Sequence, residues 1–228
     1  HSMTLDTNGM GTITFAGHGG SSAMSAIDDT SPNAYEESWD VVTGAGAPPG
    51  GSAGNNMFTY KSPSMGGATV TVAYLNASDA ITDKSYMDYA IAWAPEMVEG
   101  LTVGYGHGET EETHGTAIDD TAMYVKYTYG SVTLGYHDGE SDGTASSSDI
   151  DFEAIGVTYA VTDDITIGYN QSKQKKGDDA DEQEASGISA SFTSGGITVA
   201  GAMNDVDNVG YDATNDTDGY EFNIAFAF

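Results

Sequence analysis

TVAY (Thr71 to Tyr74), TVGY (Thr102 to Tyr105), TLGY (Thr133 to Tyr136) and TIGY (Thr166 to Tyr169) are four copies of one phrase, Thr-apolar-small-Tyr. A weaker copy, TVAG, starts at Thr198. The steps between copies are 31, 31, 33 and 32 residues. Each copy sits in a run that alternates with a period of two, so one period reads as one β-hairpin. Helical arrays such as ankyrin repeats have similar periods but need apolar stripes at helical spacing. A repeated amphipathic hairpin with no helix in it predicts a closed barrel or a β-solenoid. The last strand, YEFNIAFAF (220–228), favours a barrel.

The same alternation on either side of the phrase predicts about 13 strands: 1–6, 11–17, 56–62, 68–77, 85–94, 101–108, 121–129, 131–138, 150–161, 164–173, 184–193, 196–203 and 219–228. The connections alternate in length. Short ones are 7–10, 63–67, 95–100, a tight turn at Gly130, 162–164 and 193–196. Long ones are 18–55, 78–84, 109–120, 139–149, 174–183 and 204–218. Strict interleaving of this kind is produced by an up-and-down barrel with turns on one rim and loops on the other. A β-sandwich has no such regularity.

The two faces of each strand differ chemically. Val70, Val72 and Tyr74 oppose Thr69, Thr71 and Ala73; Ile165, Ile167 and Tyr169 oppose Thr166, Gly168 and Asn170. In the last strand, Tyr220, Phe222, Ile224, Phe226 and Phe228 oppose Glu221, Asn223, Ala225 and Ala227. The interior of a small soluble barrel is filled by bulky side chains. These small and polar second faces would instead leave room for water. The apolar face then needs lipid, and its recurrent tyrosines read as an interfacial girdle. One strand breaks phase: Ile150 and Phe152 alternate against Ile155, Val157 and Tyr159. A β-bulge near Glu153–Ala154 would restore it, or the upper part stands above the membrane.

Composition narrows the function. The 228 residues carry a formal charge of −29, from 35 acidic side chains against 6 lysines and no arginine. That excludes nucleic-acid binding, which needs Lys and Arg against phosphate. Disorder does not fit, because the acids lie between alternating apolar runs. Cysteine is absent, so there is no disulfide framework or thiolate metal site. No run of about 18 apolar residues offers a transmembrane helix, which leaves membrane strands open.

On these residues the chain resembles the general diffusion porins of Gram-negative outer membranes. GMGTITFAG (9–17) looks like the strand before that family's inward-folded loop, and FTYKSPSMGGATVTVAY (58–74) is similar to the hairpin after it. The C-terminal strand, with Tyr220, Phe222, Phe226 and Phe228, looks like the signal read by the outer-membrane assembly machinery. The resemblance implies an all-β transmembrane antiparallel barrel as a single domain over 1–228, of about 16 strands, working as a homotrimer in contact with lipid and lipopolysaccharide. That loop follows the family's fifth strand, and here 18–55 follows the second. About three strands, roughly 50 residues at this period, are then expected ahead of residue 1. An odd strand count cannot close with both ends on one rim, which points the same way. The alternative is that His1-Ser2-Met3 opens a deliberate fragment, at the cost of an unpaired strand edge in lipid.

The loop 18–55 is rich in Gly, Ser and Pro yet carries Asp28, Asp29, Glu36, Glu37 and Asp40. A structureless connection this long is unusual unless functional. The resemblance implies that it folds inward and narrows the pore, with Tyr35 and Trp39 as wall anchors. Carboxylates there would attract cations. Lys61, on the face of Thr59, would oppose them, and Lys126 shares a face with Tyr124 and Thr128. The wall arginines usual in the family have no counterpart here, which favours cations.

Acidic clusters in the other long connections suit Ca²⁺ by ligand hardness, with Asp178, Asp179, Asp181 and Glu182 as weak candidates, although none matches an EF-hand loop. A solvated face is the simpler reading. His107 and His137 fall at equivalent places in two hairpins, which repetition alone explains. No catalytic constellation stands out, so no enzyme is expected. The expected function is a passive, cation-preferring channel for small hydrophilic solutes, without a cofactor. The rival is a soluble or cell-surface acidic β-protein that binds Ca²⁺ or glycans.

Overall fold

The computed structural model describes residues 1–77, 85–111, 117–179 and 181–227. Thirteen long strands pair in chain order in one antiparallel sheet. They are β1 (Ser2–Asp6), β2 (Thr12–Ala16), β5 (Met57–Lys61), β6 (Ala68–Leu75), β7 (Ser85–Trp93), β8 (Leu101–Glu111), β9 (Ile118–Tyr129), β10 (Val132–Gly143), β11 (Ile150–Ala160), β12 (Ile165–Lys176), β13 (Gln183–Ser194), β14 (Ile197–Asp207) and β15 (Thr217–Phe226). Two short strands, β3 (Gly20–Ser21) and β4 (Ala53–Gly54), pair separately. Each expected strand is present.

The tight turns have the residues their geometry needs. Asn8 and Gly9 have φ of 57° and 96°, and Gly195 and Gly196 have 60° and 84°. At Gly195–Gly196, between Ser194 and Ile197, two successive positive φ values are what a two-residue hairpin requires to match strand twist. The opposite ends run longer than expected: β8 reaches Glu111, β10 Gly143, β12 Lys176 and β14 Asp207. Backbone pairing continues through HDGESDG and NQSKQKK because a ladder does not need apolar side chains. The apolar pattern marks the lipid band, not the strand.

The bulge expected near Glu153–Ala154 is absent. Exposure alternates without a break from Asp151 to Gly156, with Phe152, Ala154 and Gly156 buried and Glu153 and Ile155 exposed. Phe152, only 1% exposed, faces the small-residue side because a bulky partner awaits it there.

Contacts divide the chain into two compact units, His1–Thr30 with Pro49–Tyr124 and Gly139–Ile150, and Ser31–Pro48 with Val125–Asp138 and Asp151–Phe228. In the first, Ala23, Met24, Ile27 and Met57 pack on Ala73, Ala90 and Ala122. In the second, Trp39 packs on Phe152 and Ala154, and Val42 on Ala185, Val206 and Val209. Both cores lie on the small-residue face of the strands. The other face is bare: Phe222 is 67% exposed, Met203 62% and Ile188 57%. Tyr74, Tyr105, Tyr136 and Tyr169 are exposed on it too, and the next outward positions are Asn76, His107, Asp138 and Gln171. The tyrosines therefore mark the upper margin of an apolar band that water would not tolerate at this extent.

Candidate functional site

The segment between β2 and β5 is not a structureless loop. Its neck is the β3–β4 pair, extended by Ser22 N–H to Ser52 O (3.0 Å) and Ser52 N–H to Ser22 Oγ (2.9 Å). Beyond the neck, Met24–Ala26 forms a 3₁₀ turn. Its start is held by Asp88 of β7, which accepts Ala23 N–H (3.1 Å), Met24 N–H (2.7 Å) and the Tyr86 hydroxyl (3.1 Å). Asp88 is 1% exposed, and these three donors are what make a carboxylate tenable there. Gly106 and Gly108 leave the space that Met24 and Ile27 occupy; a Cβ at Gly106 would meet Ile27 Cδ1 at 2.6 Å.

In the second unit the middle of the segment lies along a row of glycines and short polar side chains. Pro32 sits over Gly135 and Gly156, where any Cβ would overlap its ring or carbonyl. Ala34 N–H donates to Ser189 Oγ (3.0 Å), and Ser38 donates to Asn170 Oδ1 from both N–H (3.2 Å) and Oγ (2.7 Å). Asn170 Nδ2 donates to Ser31 Oγ and Asn204 Nδ2 to Glu37 O (2.6 Å). Gln174 Nε2 donates to Ala47 O (2.8 Å). Backbone polar groups taken from water need such partners.

The anchors expected at Tyr35 and Trp39 are both engaged. Trp39 meets Phe152 edge-on at 5.1 Å, and the Tyr35 hydroxyl donates to Glu221. That contact raises the Tyr35 phenol to about 12, because the neighbouring carboxylate stabilises the proton.

The five loop carboxylates differ in burial. Asp28 accepts Gly51 N–H (2.7 Å) and ties the two limbs of the segment together. Burial raises its pKa above the usual carboxylate range, with Gly51 offsetting and the charge of Asp88 adding. Glu37 is buried and accepts from Asn33 Nδ2. Asp40, though exposed, accepts Glu37 N–H (3.3 Å), so these three hold the loop, while Asp29 is exposed and Glu36 partly so. Lys61 lines a polar recess of about 430 Å³ with Thr12, Thr14, Thr59 and Thr71, on the small-residue face as expected. Lys126 alternates in phase with Ala122 and Tyr124, again on that face.

Asp178, Asp179, Asp181 and Glu182 are not gathered as a cation site among the described residues. Glu182 instead faces Lys173 (3.8 Å), which pairs more closely with Glu184 (2.6 Å). His107 lies beside the Tyr89 ring and His137 beside Phe152, so each has an aromatic neighbour of its own. Tyr220, Phe222 and Phe226 are exposed on the apolar face, while Phe228 lies outside the described residues.

Sequence reading passed over Asp88, Asn170, Gln174, Ser189 and Asn204, the groups that hold the loop. Their signal was present: each is a polar residue at a strand position whose face is otherwise small. It also misjudged the small residues. Ala73, Gly135 and Gly168, the third residues of the repeated phrase, do not front only water; loop chain lies on them.

A family model described as Gram-negative porin matches residues 2–208. No curated protein matches the chain. Among solved structures, the anion-selective porin from Comamonas acidovorans is similar over 100% of this chain and 77% of its own, with a TM-score of 0.74 and 14% identity. OmpF of Salmonella typhi, in complex with daunomycin, is similar over the same shares with a TM-score of 0.71 and 14% identity. OmpT of Vibrio cholerae, in its trimer form, covers 99% and 79%, with a TM-score of 0.65 and 14% identity.

Proposed function

The chain belongs to the Gram-negative porin family, and we propose that its channel is narrowed by the segment 18–55 and prefers cations. It is an outer-membrane β-barrel that passes small hydrophilic solutes by passive diffusion, and not an enzyme. Family membership sets aside the soluble Ca²⁺- or glycan-binding alternative, as does the bare apolar face. Permeation of this kind needs no cofactor, and the proposal includes none.

One observation carries the constriction: in each unit the loop segment rests on the small-residue face, opposite the lipid-facing side chains. Asp29, Glu36 and Asp40 are the more exposed acids of the loop, against Lys61 and Lys126 on the small-residue face. Three acids against two lysines, in a chain of net charge −29, favour cations. The anion selectivity of the Comamonas porin is a property of that protein. The proposal extends to one barrel per chain, a homotrimer, contact with lipopolysaccharide, and assembly through the C-terminal aromatic strand.

Reversal potential under a salt gradient, in a planar bilayer, tests the charge assignment. Wild-type channels are expected to favour the cation, and Asp29→Asn with Asp40→Asn to lose about half or more of that preference. An anion-favouring wild type would overturn the cation preference and leave the pore standing.

A further inference from the structure

Tyr211 adopts a left-handed backbone, with φ of 65°, in the connection between β14 and β15. A bulky side chain pays for that conformation and persists in it only when its surroundings hold it. Three contacts do so. The Tyr211 hydroxyl donates to Gln174 Oε1 at 2.6 Å, Lys176 Nζ lies 5.7 Å from the ring centre, and the adjacent Gly210 N–H reaches Gln183 Oε1 at 3.4 Å. Gln174 is 3% exposed, and its other end, Nε2, donates to Ala47 O. Each end of this amide therefore has a partner of the opposite kind, so the side chain cannot turn over without losing both bonds. Beside this relay, Val209 packs on Val42 with Val206 and Ala185, and lies against Gly44.

The connection 208–216 thus grips residues 42–47 of the loop segment at two points, one polar and one apolar. We propose that Tyr211 is a positioning residue, a strained latch at the loop-bearing rim that fixes the constriction segment through Gln174. Displacing the 208–216 connection then loosens the segment and changes the open pore. This rests on the reading that the segment narrows the channel. One hydrogen bond of this kind shifts a latched-to-loose equilibrium by about tenfold.

Single-channel recording of the full chain tests it with Tyr211→Phe, Gln174→Leu and the double variant. Tyr211→Phe removes only the hydroxyl and keeps ring and backbone. Sub-level transitions are expected to become about tenfold more frequent in Tyr211→Phe and at least as frequent in Gln174→Leu, which also loses the bond to Ala47 O, with the double variant no different from Gln174→Leu alone. A side chain that merely supports its own connection would give additive effects, and additivity overturns the latch. So does an unchanged transition frequency in Tyr211→Phe while wild-type channels conduct. Silence of the folded wild type would overturn pore and latch together.

Discussion

At the residue scale, the site is built from polar side chains on a face where polarity is costly unless a partner arrives. Asp88 shows the logic. Replacing it by Ala leaves two loop N–H groups and the Tyr86 hydroxyl without their acceptor, a loss of about 1–3 kcal/mol for each buried group. Amide hydrogen exchange at Ala23 and Met24 is expected to quicken at least tenfold in Asp88→Ala, and much less in Asp88→Asn, which keeps an acceptor. Equal exchange in both variants would refute the capping role. Asp28 adds a pH dependence. Its folded-state pKa is raised above the unfolded 3.8, so the folded chain holds the proton more tightly. Its contribution to the loop is therefore greatest in acid and is lost as pH rises through the raised value. Asp28→Asn is expected to flatten that dependence between about pH 3 and 7, read by exchange protection at the loop neck. A wild-type loop that instead loosened towards acid would contradict the sign.

At the element scale, the loop segment takes its course from what the strands lack. Gly135 and Gly156 are bare where Pro32 lies, and Phe152 turns inward where Trp39 lies. Gly156→Val is expected to push the segment off the sheet at a cost of about 1–3 kcal/mol. The β-sheet circular dichroism should persist while open-channel current changes. Unchanged current would mean that Pro32 is not seated there. Much of this was legible in the sequence. The repeat, the alternation and the turn chemistry fixed thirteen strands, because period-two patterning is local information. The strand ends were not, since pairing outlasts the apolar band in HDGESDG. The phase of Phe152 read as a defect because its partner, Trp39, lies far away in sequence. The wall anchors Tyr35 and Trp39 stood out as aromatics in a polar loop. Asp88 did not, because a carboxylate in a strand looks solvent-facing until a loop is laid on it.

At the scale of the whole molecule, two opposed faces divide the work. Side chains such as Ile188, Met203 and Phe222 meet lipid, and the small face meets loop and solute. The acidity was legible as a charge and not as a filter. Of five loop carboxylates, Asp28, Glu37 and Asp40 accept hydrogen bonds within the segment, so formal charge overstates what a passing ion meets. The central claim is that the segment 18–55 narrows the channel. The measurement that tests it most directly is single-channel conductance of the wild type beside a variant with residues 24–50 replaced by a short Gly-Ser bridge. Stepwise conductance that rises about twofold or more in the shortened variant is predicted, because the narrowest section dominates the resistance. Equal steps in the two proteins would contradict it.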